Sequence, residues 1–164
     1  MNSKIKSRQE IKEIVEELKK QRKKIVTTNG SFDILHTAHL RLLQKAKSLG
    51  DVLIVLINSD DSVKKFKGEK RPIIPENERA EHLAHLSSTD YIVIFDEDNP
   101  LNILKEIKPN FHVKGGSYIS ERIEKEKKLL ESWGGEVKTF ELEEGYSTTD
   151  VIKRILGAYK DEIV

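Results

Sequence analysis

A doubly wound α/β domain, with five parallel strands and helices on both faces, is the fold this sequence predicts. Three observations carry the expectation. Short β-branched runs alternate along the whole chain with segments whose apolar residues recur at helical spacing. The run Val52-Leu53-Ile54-Val55-Leu56-Ile57 is continuously apolar, as a strand covered on both faces should be. Glycine and polar residues follow most of the strand-like runs and precede the helical ones, the order expected of right-handed β-α-β crossovers.

Taken in order, residues 8–20 place Ile11, Ile14, Val15 and Leu18 on one side of an amphipathic helix. A polar link leads to a first strand over 24–28. The stretch 29–39 then turns the chain into a helix marked by Leu40, Leu43 and Ala46, which Gly50 terminates. The second strand is 52–57. Residues 58–75 show no periodicity and read as a long polar loop, with Lys64, Lys65, Lys67, Lys70 and Arg71 crowded around Gly68. A helix over 76–86, a strand over 91–95 and a helix over 100–107 follow, the last ended by Pro109. The fourth strand is 111–113, and 114–118 is a glycine-bearing turn. A helix over 121–133, a fifth strand over 136–142 and a closing helix over 151–159 complete the pattern. Residues 1–22 are expected as a leading helix packed on a single domain of residues 23–164.

Bulk composition narrows the classes. The chain has 164 residues, and 29 basic against 28 acidic side chains leave a net charge of +1. Such balance gives no general field for nucleic acid or an anionic membrane, so an anion must be bound locally. The absence of cysteine excludes disulfides, thiolate metal sites and cysteine nucleophiles. No apolar run reaches bilayer length and no signal-peptide core is visible at residues 1–10, which makes a cytoplasmic protein the expectation.

Ligands of parallel sheets gather beyond the carboxyl ends of the strands, where the strand order switches. Four polar loops should share that rim: 29–39, 58–71, 114–118 and 143–149. His36 and His39 lie three apart at a helix start and project to one side. They could donate ring N–H groups to a phosphate at the helix N-terminus; one could instead cap while the other packs, and a metal pair lacks a third ligand. Ser147, Thr148 and Thr149 precede a periodic helix, where hydroxyls serve equally as a cap or for phosphate. Lys114 with Gly115 puts a cation and bare backbone at a strand end. Two helix starts, a histidine pair and two basic loops on one rim read together as a polyphosphate site. Neither a Walker pattern nor a dinucleotide glycine fingerprint is present.

The residues Asn29-Gly30-Ser31-Phe32-Asp33-Ile34-Leu35-His36-Thr37-Ala38-His39 resemble the first signature of the nucleotidyltransferase superfamily that holds the cytidylyltransferases. Gly145-Tyr146-Ser147-Thr148-Thr149 resembles its second. Within it, Asn58-Ser59-Asp60, Lys67-Gly68, Arg71-Pro72 and Val113-Lys114-Gly115-Gly116 are most similar to the D-glycero-β-D-manno-heptose 1-phosphate adenylyltransferases of ADP-heptose synthesis. Glu143, where glycerol-phosphate cytidylyltransferases carry arginine, argues against that branch. The resemblance implies a Rossmann-like fold and transfer of AMP from ATP to a sugar 1-phosphate, with pyrophosphate released. It implies Mg²⁺ held mainly by the triphosphate, with no metal site on the protein. As catalytic residues it points to His36, His39, Lys64 and Lys114. As the nucleotide site it points to Thr28, Asn29, Gly30, Phe32, Asp33, Arg79 and Gly115, with Ser147, Thr148 and Thr149 on the β- and γ-phosphates. ATP and the sugar phosphate are then the partners, neither nucleic acid nor membrane is one, and the leading helix offers an interface for a homo-oligomer. An FAD synthetase or a glycerol-phosphate-type cytidylyltransferase is the rival on the same scaffold. One residue departs from the signature: Ala38 stands where the family has glycine before its second histidine. Alanine favours the helix by about 1 kcal/mol, while its methyl narrows the space for a nucleotide. A nucleotide-binding module of weak turnover is therefore the third reading.

Overall fold

In a computed structural model, residues 2–115, 120–141 and 145–160 are described. The strands β1 (Ile25–Gly30), β2 (Val52–Asn58), β3 (Tyr91–Phe95), β4 (Phe111–Gly115) and β5 (Glu136–Phe140) form one sheet. Its order is β3-β2-β1-β4-β5 and every pairing is parallel. The order reverses at β1, whose neighbours are β2 and β4, so the crevice opens beyond Gly30 and Gly115.

Around the sheet lie α1 (Arg8–Lys20), α2 (Thr37–Lys47), α3 (Asp60–Lys67), α4 (Glu76–Ala84), α5 (Leu101–Ile107), α6 (Ser120–Glu131) and α7 (Thr148–Ala158). Alternate residues of a strand point to opposite faces, and the core divides accordingly. Leu53, Val55 and Ile57 of β2 pack with Leu43 and Ala46 of α2 and with Ala80 and Leu83 of α4. Ile54 and Leu56 pack on the other face with Ile11 and Val15 of α1, Ile103 and Ile107 of α5, and Leu130 of α6. All of β2 from Leu53 to Ile57 is fully buried, which is why its sequence is unbroken by polar residues.

The leading segment belongs to this core. Ser7 and Glu10 form a capping box at the start of α1, and Arg8 pairs with Glu97 at 2.7 Å and with Glu106 at 2.8 Å. Lys4 and Lys6 exchange main-chain hydrogen bonds with Ile92, extending the edge beside β3.

The loop expected over 58–75 contains α3. Ser59 caps it, accepting from the Ser62 amide, and Gly68 at φ 89° ends it. Of its eight residues only Val63 and Phe66 are apolar, and Phe66 is exposed, so no periodic signal marks it. Strands β1 and β4 each run two residues beyond their expected ends, carrying Asn29, Gly30, Lys114 and Gly115 into the sheet. Of the expected turn, Gly116 to Tyr118 lies outside the described residues, as does Glu143.

Candidate active site

The turn from β1 into α2 holds two non-glycine residues with left-handed backbone, Phe32 at φ 47° and Ile34 at φ 54°. Such conformations cost of order 1–3 kcal/mol each and persist where surroundings enforce them. Asp33 is the enforcing residue. Its buried carboxylate accepts from the Ile73 and Ile74 amides at 3.0 Å and from Arg71 Nε at 2.6 Å. Burial pushes this carboxyl up, but the two amides and the guanidinium together hold it below the usual range. Phe32 is buried, and its ring lies against Gly30, where a Cβ would stand 3.2 Å from it.

His36 is the N-cap residue of α2, with extended backbone, and its side chain makes no capping bond. Its ring stacks on that of His39 with centroids 3.8 Å apart, and Phe32 lies against the other histidine at 5.3 Å. Burial lowers the pKa of both; His39, also beside His36 and Lys67, is pushed down to about 4. Both imidazoles are thus neutral near pH 7. Among the described residues Nδ1 of each is buried without a hydrogen-bond partner, and so is Nη2 of Arg71.

These three residues line one cavity of about 580 Å³, together with Ala38, Lys67 and the start of α7. Lys67 donates to Ser31 Oγ at 2.8 Å; burial, then Arg71, lowers its pKa. Ser147 caps α7, accepting from the Asp150 amide at 3.0 Å and donating to Asp150 Oδ2 at 2.7 Å. Thr148 Oγ1 donates to the Asp33 carbonyl at 2.7 Å and so ties α7 to the histidine turn. What α7 leaves open to the cavity is Thr149 and the positive end of its backbone dipole.

A smaller cavity of about 280 Å³ adjoins the first, with His39, Leu42, Lys67 and Gly115 lining both. Gly115 lets Leu42 pack closely on this wall, since a Cβ would meet both Leu42 methyl carbons at 2.6 Å and the leucine would have to shift. Under it runs a buried polar chain. Lys114 Nζ donates to Asn29 Oδ1 at 2.7 Å and to Glu126 Oε1 at 2.8 Å. His112 Nε2 lies 3.2 Å from the same Asn29 oxygen, and its Nδ1 lies 2.8 Å from Thr27 Oγ1. Burial, then Lys114, depresses the His112 pKa, so this ring is neutral, donating through Nε2 and accepting the Thr27 hydroxyl through Nδ1. Burial also lowers Lys114, against the pull of Glu126. An ammonium carries three donors, so Lys114 keeps one for a ligand. Thr28 lies deeper, fully buried and bonded to the Val113 carbonyl at 2.9 Å.

The structure therefore brings together His36, His39, Lys114, Asn29, Gly30, Phe32, Gly115, Ser147, Thr148 and Thr149 around two joined cavities. Four expected contacts are corrected, the first being Thr28, whose hydroxyl is bonded to Val113 and which lines neither cavity. Arg79 is fully buried and its donors are engaged by the Ser31, Asn58 and Ile74 carbonyls and by Asp60. Four of its five N–H donors are used in this way, it clamps the carboxyl ends of β1 and β2, and it lines neither cavity. Lys64 pairs with Asp61 at 3.6 Å and faces a separate groove beside Asp60, Glu76 and Asp96. One helical turn separates it from Lys67, which takes the place beside His39. Asp33 shapes the turn through Arg71, Ile73 and Ile74, with both carboxylate oxygens engaged. Lys67 and Arg71, which the sequence shows as loop charges and as part of the family resemblance with no role assigned, are the further site cations; with 60–67 a helix, Lys67 at its last turn marks the rim. Among the described residues no group of three or more His, Asp or Glu side chains could hold a metal ion, and no helix is long and apolar enough to cross a membrane.

Residues 27–154 match the cytidylyltransferase-like family model, a span that takes in both cavities. The chain is 50% identical over 161 residues to the bifunctional protein HldE of Geobacter metallireducens, covering 98% of this chain and 33% of that one. It is 48% identical over 151 residues to HldE of Helicobacter pylori, covering 92% and 32%. It thus spans about a third of the length of these curated relatives. The crystal structure of the lipopolysaccharide core biosynthesis protein from Thermoplasma volcanium superposes with a TM-score of 0.62 at 27% identity, covering 76% of this chain and 99% of that one. Pantoate-beta-alanine ligase from Francisella tularensis, at 18% identity and a TM-score of 0.64 over 95% and 77%, shares the fold.

Proposed function

Because this chain belongs to the cytidylyltransferase-like family, we propose that it moves AMP from ATP to a sugar 1-phosphate, D-glycero-β-D-manno-heptose 1-phosphate. A phosphate oxygen of the sugar attacks the α-phosphorus in line, the bond from that phosphorus to the bridging oxygen breaks, and pyrophosphate departs with the electron pair. The nucleophile is already an anion, so no general base is needed. Catalysis then rests on alignment and on donors set where charge accumulates.

The observation that carries this reading is that His36 Nδ1, His39 Nδ1 and Arg71 Nη2 are buried with no partner among the described residues, in side chains that line one cavity at the start of a helix and that can each present an N–H to a phosphate oxygen. A buried donor without a partner costs about 1–3 kcal/mol, a cost that a triphosphate oxygen removes. His39, shared by both cavities, sits where the α-phosphate and the acceptor would meet, and His36 would donate to the departing pyrophosphate. Lys67 and Arg71 supply positive charge, and α7 offers its backbone end to the β- and γ-phosphates. The donor set is cationic and neutral, which suits an Mg²⁺ held chiefly by the triphosphate and water.

What favours adenylyl transfer to heptose phosphate over the rivals is the sequence signature around Asn58 to Asp60 and Val113 to Gly115, together with the HldE relatives. A reaction that draws on ATP supports a cytoplasmic setting. The test is pyrophosphate release from ATP or CTP, each offered heptose 1-phosphate, FMN or glycerol 3-phosphate. Release is expected from ATP with the heptose phosphate. Release from CTP with glycerol 3-phosphate, or from ATP with FMN, would reassign the protein to that rival activity.

A further inference from the structure

Glu126 in α6 is the least expected group beside the reacting centre. Its side chain is 3% exposed, yet among the described residues only Oε1 is hydrogen-bonded, to Lys114. Oε2 is buried with no hydrogen-bond partner among the described residues, and His112 Nε2, 3.9 Å away, already faces Asn29. A carboxylate needs donors on both oxygens when it leaves water. An orphan of this kind inside a cavity wall is an acceptor waiting for a ligand hydroxyl.

The surroundings specify the ligand. Glu126 lines the smaller cavity with Asp98, Asn29, Lys114 and Arg122. Two carboxylates favour hydroxyl donors, while the two cations, with Lys67 at the shared wall, favour a phosphate. Lys114 donates to Asn29 Oδ1, which fixes the orientation of that amide, because an ammonium cannot accept. The nucleotide cavity has no matching pair of acidic groups among its described lining; its one carboxylate is Glu141.

We infer that Glu126 determines acceptor specificity by accepting a hydrogen bond from one hydroxyl of the sugar phosphate bound in the smaller cavity. The residue reads the acceptor and takes no part in bond breaking. This rests on the proposed adenylyl transfer, and it adds the residue that distinguishes a polyol phosphate from other phosphates. A hydrogen bond to a charged group is worth about 1.5–3 kcal/mol, so its loss should be visible as a ten- to hundredfold effect.

The experiment compares wild type with Glu126→Gln, which keeps an oxygen for Lys114 and loses the acceptor at the Oε2 position. Pyrophosphate release is measured with heptose 1-phosphate and with its monodeoxy analogues, and sugar phosphate binding is followed separately by calorimetry. The expected result is a KM for the acceptor raised at least tenfold, with the KM for ATP within about twofold. One monodeoxy analogue should cost wild type the same factor and cost Glu126→Gln nothing further. A merely structural role would not single out one hydroxyl. If every analogue costs the variant as much as wild type, or if the loss falls on ATP, the inference is overturned. Should the variant fail to fold, wild type alone decides, since no tenfold loss with any analogue is equally fatal. Wild type that binds the sugar phosphate but releases no pyrophosphate would overturn the proposed reaction while leaving the calorimetric comparison to judge Glu126.

Discussion

Two helix starts face the larger cavity, and they differ in what their side chains are doing. At α7 the polar groups are engaged within the protein: Ser147 with Asp150 and Thr148 with the Asp33 carbonyl. At α2 the capping position is held by His36, which caps nothing, and the nearby Nδ1 atoms of His36 and His39 have no partner although both are buried. The same contrast separates two arginines. Arg79 has its guanidinium engaged by three carbonyls and Asp60, whereas Arg71 holds Asp33 through Nε and leaves Nη2 idle. Unpartnered buried polar atoms are where the proposed ligand would complete the structure; engaged ones mark where the fold has completed itself.

The comparison is tested most sharply at His39. His39→Ala should lower turnover at least about a hundredfold, since one donor to developing negative charge is typically worth 10²–10³. Its folded stability near pH 7 should change little by comparison. Pyrophosphate release at wild-type rate in this variant would end the phosphate reading of α2. The same residue sets an acid limb. Its pKa in the folded protein, about 4, lies below the usual 6.5 because burial disfavours the cation. The unfolded chain therefore binds more protons between those values, and stability is lost as pH falls from about 6.5 toward 4. Denaturant melts across that window should show a shallower loss for His39→Ala than for wild type. Parallel pH profiles would mean that His39 is not held neutral.

Much of the fold was legible because its signals are local. The unbroken run of β2 reflects burial on both faces, and the spacing of Ile11 and Val15 reflects one packed side of α1. The helix α3 leaves no mark in the sequence because eight residues with two apolar side chains have no periodicity. The site was legible in part. Histidines three apart at a helix start announce their common direction, whereas the fate of a charge depends on partners distant in sequence. Arg79 meets Ser31 across 48 positions and Arg71 meets Asp33 across 38, and neither separation leaves a trace in local pattern. Glu126 is the extreme case. It sits among lysines and glutamates on α6 like any solvated residue, and only the tertiary structure, which buries it and pairs it with Lys114, takes it out of water.

Arg71 and Ser147 carry the comparison to smaller effects. Arg71→Lys keeps a charge but has no planar fork to hold Asp33 and reach the cavity together. The KM for ATP should rise about tenfold, and an unchanged KM would mean that the idle Nη2 meets no ligand. Ser147→Ala removes a cap, worth typically about 1 kcal/mol, or roughly 2–4 °C of melting temperature for a domain of this size. Its hydroxyl is already engaged with Asp150 on both its donor and acceptor sides. Turnover should therefore fall less than tenfold, and by an amount that follows the loosened α7 rather than a lost phosphate contact. A hundredfold loss with an unchanged melt would reverse the assignment. It would mean that Ser147 releases Asp150 when nucleotide binds, making the two helix starts alike in function after all.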